Sequence, residues 1–314
     1  MAVNNSYQAV DGESSMRLIG PRVIIVQVLI AIFLYINFLL ILTFSKKDFL
    51  HTNMRYIFFA NTLLSDSLFL ILTDVVLILS YFGIPMQMWL CLLLYIALSV
   101  NTFVTPLTLT AMTLERYVAI CMPLRHGELC TPHFALCSIL ILHAISYVPG
   151  SVIISNFIAT ASSHVYTQAK VCSVEMFILH KWQGHVRSAV HQSYFLFMSS
   201  TIAFCYIKIM KVATNASGEN KKSLRKGVQT VVLHAFQLLL SLAQLWCPFI
   251  ESAVLQIDFV LFVNVRYFNY IAFILSPRCL SPLIYGLRDE KFFLALKYYA
   301  LFGLYRNNSP GFVR

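Results

Sequence analysis

The feature that most constrains this chain is a series of long apolar runs, at residues 23–44, 56–82, 90–120, 134–158, 188–210, 228–255 and 262–287. A helix rises 1.5 Å per residue, so about 20 apolar residues cross the hydrocarbon core of a bilayer. With no water there to bond the backbone, each crossing run must close its own hydrogen bonds, and the α-helix does so. The fold class expected is therefore an all-α membrane protein built as a seven-transmembrane helix bundle. The fifth run is the weakest, because His191, Gln192 and serines interrupt it. Without it the count would be six.

Composition agrees. Only 11% of the residues are charged and 59% are hydrophobic, whereas soluble domains carry about 25% charged residues. The first 22 residues are polar, MAVNNSYQAVDGESSMRLIGPR. They lack the basic start, short apolar run and small-residue exit of a cleavable signal peptide. The expected organisation is an extracellular tail at 1–22, a seven-span domain at 23–287, and a cytoplasmic amphipathic helix with a tail at 288–314.

Charge sets the expected orientation. If the N-terminus is outside, the outer segments hold Arg17, Arg22, Lys170, Lys181, Arg187 and Arg266, and Arg278 falls inside a helix. The other sixteen of the 23 Lys and Arg residues then fall on the inner side. Cytoplasmic loops favour Lys and Arg, so the N-terminus is expected outside and the C-terminus inside. That topology needs an odd number of spans and so favours seven. The net charge of +10 becomes a property of the inner face, directed at anionic membrane lipid and a protein partner rather than nucleic acid. Residues 289–304, DEKFFLALKYYALFGL, have the spacing of a short amphipathic helix lying on the inner leaflet. No internal repeat is visible, which weighs against an inverted-repeat transporter.

The inner end of the third run carries Leu114-Glu115-Arg116-Tyr117, continuing as Val118-Ala119-Ile120-Cys121-Met122-Pro123-Leu124-Arg125-His126. A Glu-Arg pair at a membrane edge is costly and points to a function. LERYVAICMPLRH resembles the MAYDRYVAICxPLxY signature of odorant receptors, a group within the rhodopsin-like receptors. Further landmarks follow in the order that this resemblance implies, across nearly the whole chain. Asn37 and Asp66 resemble the paired polar residues of helices one and two. Cys91 lies 25 residues before Arg116, and the resemblance makes Cys172 its disulfide partner. Trp246-Cys247-Pro248 resembles the W-x-P bend of helix six. Ser281-Pro282-Leu283-Ile284-Tyr285 resembles NPxxY, and Tyr206 stands where helix five carries an activation tyrosine. Lys226, Thr230 and His234 echo an odorant-receptor string at a displaced position. The Ser281 substitution and the absence of Trp in helix four and of Pro in helix five suggest a divergent, fish-type member.

The resemblance implies roles. Arg116 would be held by Glu115 in the inactive state and engage a heterotrimeric G protein in the active one, with Tyr117, Tyr206 and Tyr285 nearby. Trp246, Pro248 and Pro282 would form the bending elements, since proline removes a backbone hydrogen bond. Thr105 lies eleven residues before Arg116, on the face expected to meet Asp66. In many receptors of this type that pocket holds sodium. Arg278, about one turn from Pro282, is costly unless paired. It is expected to pair with Asp66 or a nearby acceptor and take the ion's place, with Glu251 and Asp74 as rival partners.

The candidate ligand pocket comprises Tyr95, Leu98, Ser99 and Thr102 at helical spacing on helix three. It adds His191 and Tyr194 from helix five, Phe249 and Ile250 from helix six, and Tyr267, Ile271 and Ile274 from helix seven. This is a mostly apolar site with a few hydroxyls, suited to a small amphipathic ligand, by implication an odorant. Leu98 stands where amine receptors carry Asp, and Leu275 where visual pigments carry their Schiff-base Lys. Asn4-Asn5-Ser6 is an acceptor sequon in the outer tail. No cofactor, metal site or enzymatic motif is expected. The implied G protein is of the stimulatory olfactory class, and the implied location is the plasma membrane, in sensory cilia. The rival readings are a rhodopsin-like receptor for a peptide, lipid or other small molecule, and a transporter or channel.

Overall fold

In the computed structural model the described residues are 2–46, 51–162, 164, 166, 169–172, 174–215, 232–233 and 235–280. The principal helices are α1 (Ala2–Lys46), α2 (Met54–Tyr81), α3 (Met88–Cys121), α4 (Pro132–Thr160), α5 (Lys181–Asn215), α6 (Cys247–Leu255) and α7 (Phe259–Asn269). Among the described residues six helices are long and apolar enough to cross a membrane, including Gly20–Lys46 within α1 and Val260–Leu280 at α7 and beyond. The polar segment expected as a tail continues α1 back to Ala2.

The sixth run departs from a continuous helix. Residues 235–243 are helical, residues 244–246 form a turn, and α6 begins at Cys247. The local cause is Pro248, which has no N–H to offer the carbonyl of Gln244. The chain tightens instead: Leu245 N–H bonds Leu242 O at 3.0 Å, Trp246 N–H bonds Ala243 O at 3.0 Å and Cys247 N–H bonds Gln244 O at 3.3 Å. These are three-residue closures in place of four-residue ones.

Caps mark several other boundaries. Asn53 accepts from the N–H of Arg55 to open α2, Thr131 accepts from Phe134 to open α4, and Asp258 accepts from Val260 and Leu261 to open α7. Each side-chain oxygen satisfies donors that have no partner within the helix. Inside the spans, hydroxyls bond back to the preceding turn, as Thr62 does to Phe58 O and Thr113 to Leu109 O. That satisfies them where no water reaches.

α3 is the central element and packs against α2, α4 and α5. The main core gathers Leu40, Phe58, Phe59, Phe103, Leu109, Met112 and Met198. A second cluster, around Tyr95, Phe157 and Phe177, lies at one end of the bundle. There the strands β1 (Met86–Gln87) and β2 (Ala169–Lys170) pair antiparallel, Met86 with Lys170 and Gln87 with Ala169. Gly83, at φ +62°, makes the left-handed turn into β1. Apolar side chains such as Leu140, Ile141, Leu196 and Ile207 stand 59–72% exposed on the outside. That face suits acyl chains rather than water.

Candidate functional site

The bundle encloses an ion pair. Asp66 on α2 and Arg278 beyond α7 lie 2.7 Å apart, Nη1 to Oδ1, with side chains 0% and 3% exposed. Thr105 on α3 donates its hydroxyl to the same oxygen at 2.7 Å. The guanidinium also stacks on Phe69, 3.5 Å from its ring centroid, which adds a cation–π contact where water cannot compete. Asp66 Oδ2 and Arg278 Nε have no hydrogen-bond partner among the described residues. The rival carboxylates are engaged elsewhere. Gln27 donates to Asp74, and Glu251 accepts from Asn269 at 3.1 Å and faces Arg266 at 3.9 Å. Asn37, buried on α1, donates to Ser67 Oγ on α2 at 3.1 Å. Ser281, Pro282 and Tyr285 lie outside the described residues, as do His234 and the segment 289–304.

At the end of α3 away from the disulfide, Glu115 is buried and meets two side chains. Arg116 Nε lies 3.2 Å from its Oε2, and His126 Nε2 lies 3.4 Å from its Oε1. His126 belongs to the short helix Pro123–Leu129 that follows α3. Tyr117 packs on Phe204 of α5, with ring centroids 5.7 Å apart. Tyr206 is 38% exposed on the same helix.

At the opposite end Cys91 and Cys172 form a disulfide with Cα atoms 5.6 Å apart. It ties the segment after α4 to the start of α3 beside the strand pair. The same segment is held by Gln183, which is 4% exposed. Its Oε1 accepts from the backbone N–H of Leu179 and His180, and its Nε2 donates to Asn156 O and Thr160 Oγ1. Nothing in the run of residues around Gln183 signals that role.

The eleven pocket residues meet several different neighbours. Thr102 and Ile274 line one narrow gap with Thr105, Ser241, Gln244 and Arg278. Tyr95 stacks on Phe177 at 4.8 Å. Ser99 faces α4, so close to Gly150 that a Cβ there would stand 2.8 Å from its hydroxyl. Tyr194 also turns to α4 and donates to Ile145 O at 2.8 Å. His191 packs edge-on against Phe103 at 5.2 Å. Leu98 gives its carbonyl to Thr102 Oγ1. Phe249 lies 6.0 Å beneath Arg187, and Tyr267 lies 5.8 Å from Arg22. Ile271 is half-buried in the turn that follows α7. Ile250 and Trp246 are each 46% exposed, at the break between residues 235–243 and α6. Pro248 sits in the first turn of α6, and Asn4 falls in the first turns of α1.

The description of the 7 transmembrane receptor (rhodopsin family) matches residues 36–285 of this chain. The chain is also 42% identical over 281 residues to Odorant receptor 131-2 of Danio rerio, covering 89% of this chain and 86% of that one. These matches run through the spans, the buried ion pair and the Glu115-Arg116 end alike. It follows that the chain is a multi-pass membrane receptor that belongs to the rhodopsin family of seven-transmembrane receptors, among its odorant receptors.

Proposed function

We propose that this receptor binds a small, mostly apolar odorant from outside the cell and passes the signal to a heterotrimeric G protein of the stimulatory olfactory class. The N-terminus and the disulfide end face outward, and the Arg116 end faces the cytoplasm, beside anionic lipid. The odorant ligand is supported by the likeness to a fish odorant receptor. The coupling role is supported by one observation above all. Glu115, 5% exposed at its side chain, holds Arg116 at 3.2 Å on a helix end where the guanidinium keeps 20% exposure. A charge placed there has two competing sets of partners, its own carboxylate and an incoming protein, and can switch between them.

The ligand enters from the disulfide end and reaches down α3 towards Thr102 and Ile274. Leu98 leaves a protonated amine without an anchor on that face. Asn4 is the proposed glycosylation site of the outer tail.

A panel of odorants applied to cells expressing the receptor, read by cyclic AMP, tests the reading. The expected result is a response to at least one small apolar odorant that Arg116→Ala abolishes while surface labelling persists. A response confined to peptides, or one that Arg116→Ala leaves intact, would overturn it.

A further inference from the structure

A regular α-helix turns about 100° per residue, so residues eight apart stand about 80° out of phase. Tyr270 and Arg278 are eight apart, yet both reach α2, at Thr73 and Asp66. The residues between them resolve the conflict. Tyr270–Leu275 is a π-helix, closed in part by the N–H of Ser276 reaching back five residues to Ile271 O. A π turn absorbs one extra residue. It therefore rotates all that follows by about 100° relative to a continuous α-helix. Pro277 supplies a local cause, since in α register its ring would press on the carbonyl of Phe273. The widened turn returns Arg278 to the side on which Tyr270 meets α2.

The segment 270–277 joins three other parts of the bundle. Ile274 shares the narrow gap with Thr102, Thr105 and Arg278. The hydroxyl of Tyr270 bonds Thr73 Oγ1 on α2 at 3.3 Å. At its end, the carbonyl of Pro277 accepts from Gln237 Nε2 of the sixth run at 3.0 Å. One short segment thus touches the candidate pocket, the buried ion pair and the helix before α6.

We propose that the π turn Tyr270–Leu275 is a two-state register switch that couples the pocket to the Asp66–Arg278 pair. In the state described, the widened turn latches Arg278 onto Asp66. Relaxation to α geometry carries the guanidinium about 100° away and moves the acceptor that Gln237 holds. Ser241 and Gln244, which line the same gap as Arg278, supply acceptors for it in the released state. The π turn is less favourable than an α turn, and the latch offsets that, so the two states lie close in free energy. This deepens the receptor reading and rests on it, because ligand contact at Ile271 and Ile274 selects the state.

The test needs no ligand. Basal nucleotide exchange on a co-expressed heterotrimeric G protein is measured in membranes of cells expressing the full chain. Asp66→Asn/Arg278→Met removes the latch without leaving a lone buried charge. It should raise basal exchange about fivefold or more, the lower end of coupling between sites in two-state proteins. Deleting Ala272 takes the extra residue out of the π turn while keeping Arg278 on its buried face. In that background the double substitution should leave basal exchange at the level of the deletion alone. A rise of equal size with and without Ala272 would overturn the proposal, and so would no rise in either. If the deletion fails to reach the surface, hydrogen exchange of amides 271–276 decides. It should change at least about fivefold in the double variant, and unchanged protection would reject the switch. A receptor that answers no odorant still reports on every one of these outcomes.

Discussion

Arg278 is the partner of Asp66: the two side chains meet at 2.7 Å with essentially no solvent exposure. Removing one member leaves the other charged and buried, at a cost of about 3–5 kcal/mol. Asp66→Asn and Arg278→Met should therefore each lower the fraction of receptor at the surface. The double variant should regain it, because an uncharged pair of similar volume carries no such penalty. Surface labelling of the four receptors checks this. Good expression of both single variants would show that the pair contributes nothing to folding.

Glu115 holds Arg116 and contacts His126 at the far end of α3. Glu115→Gln keeps the shape of the side chain and removes its charge. Ligand-independent G-protein activation should rise several-fold, measured against surface density. A fall in basal activity would mean that Glu115 supports the active state rather than opposing it.

Loss of the Cys91–Cys172 bridge should cost about 2–5 kcal/mol. Cys91→Ser, Cys172→Ser and the double substitution should show the same lowered Tm in detergent, since each removes the same bond. Unequal effects would point to a separate role for one of the thiols.

Gly150 is a point of close approach between α3 and α4. A Cβ on it would stand 2.8 Å from Ser99 Oγ and 3.1 Å from Ser99 Cβ, closer than packed atoms tolerate. Gly150→Ala should destabilise by about 1–3 kcal/mol. Ser99→Gly in the same chain should recover most of that. Thermal unfolding of both variants checks the pairing, and additive losses would contradict it.

Gln183 accepts two backbone donors and gives two bonds to α4. Gln183→Ala leaves buried groups unpaired and should cost about 1–3 kcal/mol. Gln183→Glu keeps the acceptor for Leu179 and His180 but loses the donor to Asn156 and Thr160. It also buries a charge against the carbonyl of Asn156, so its Tm should be no higher than that of the alanine variant.

The spans, the Glu-Arg end of α3 and the family were legible in the sequence because each rests on local pattern. Apolar run length fixes membrane crossing, since a bilayer is about 30 Å of hydrocarbon wherever the run occurs. The motif around Arg116 needs only neighbouring residues to be recognised. A lone arginine in helix seven had to be paired, because hydrocarbon makes an unpaired charge untenable.

Which acid it pairs with was decided only by tertiary structure. Asp66, Asp74 and Glu251 are equal as residue types, and the difference lies in what else stands beside them. Gln27 engages Asp74, Asn269 and Arg266 engage Glu251, and the π turn delivers Arg278 to Asp66. Helical spacing likewise gave a face for Tyr95, Ser99 and Tyr194 but not the neighbour that each face meets. Phe177, Gly150 and the carbonyl of Ile145 fill that role. The sixth run breaks at residues 244–246, where the proline was visible in the sequence but the three-residue closures before it were not. Composition and spacing determine what must be buried and what must be paired. The choice among partners depends on rotation and depth, and those exist only once the helices have packed.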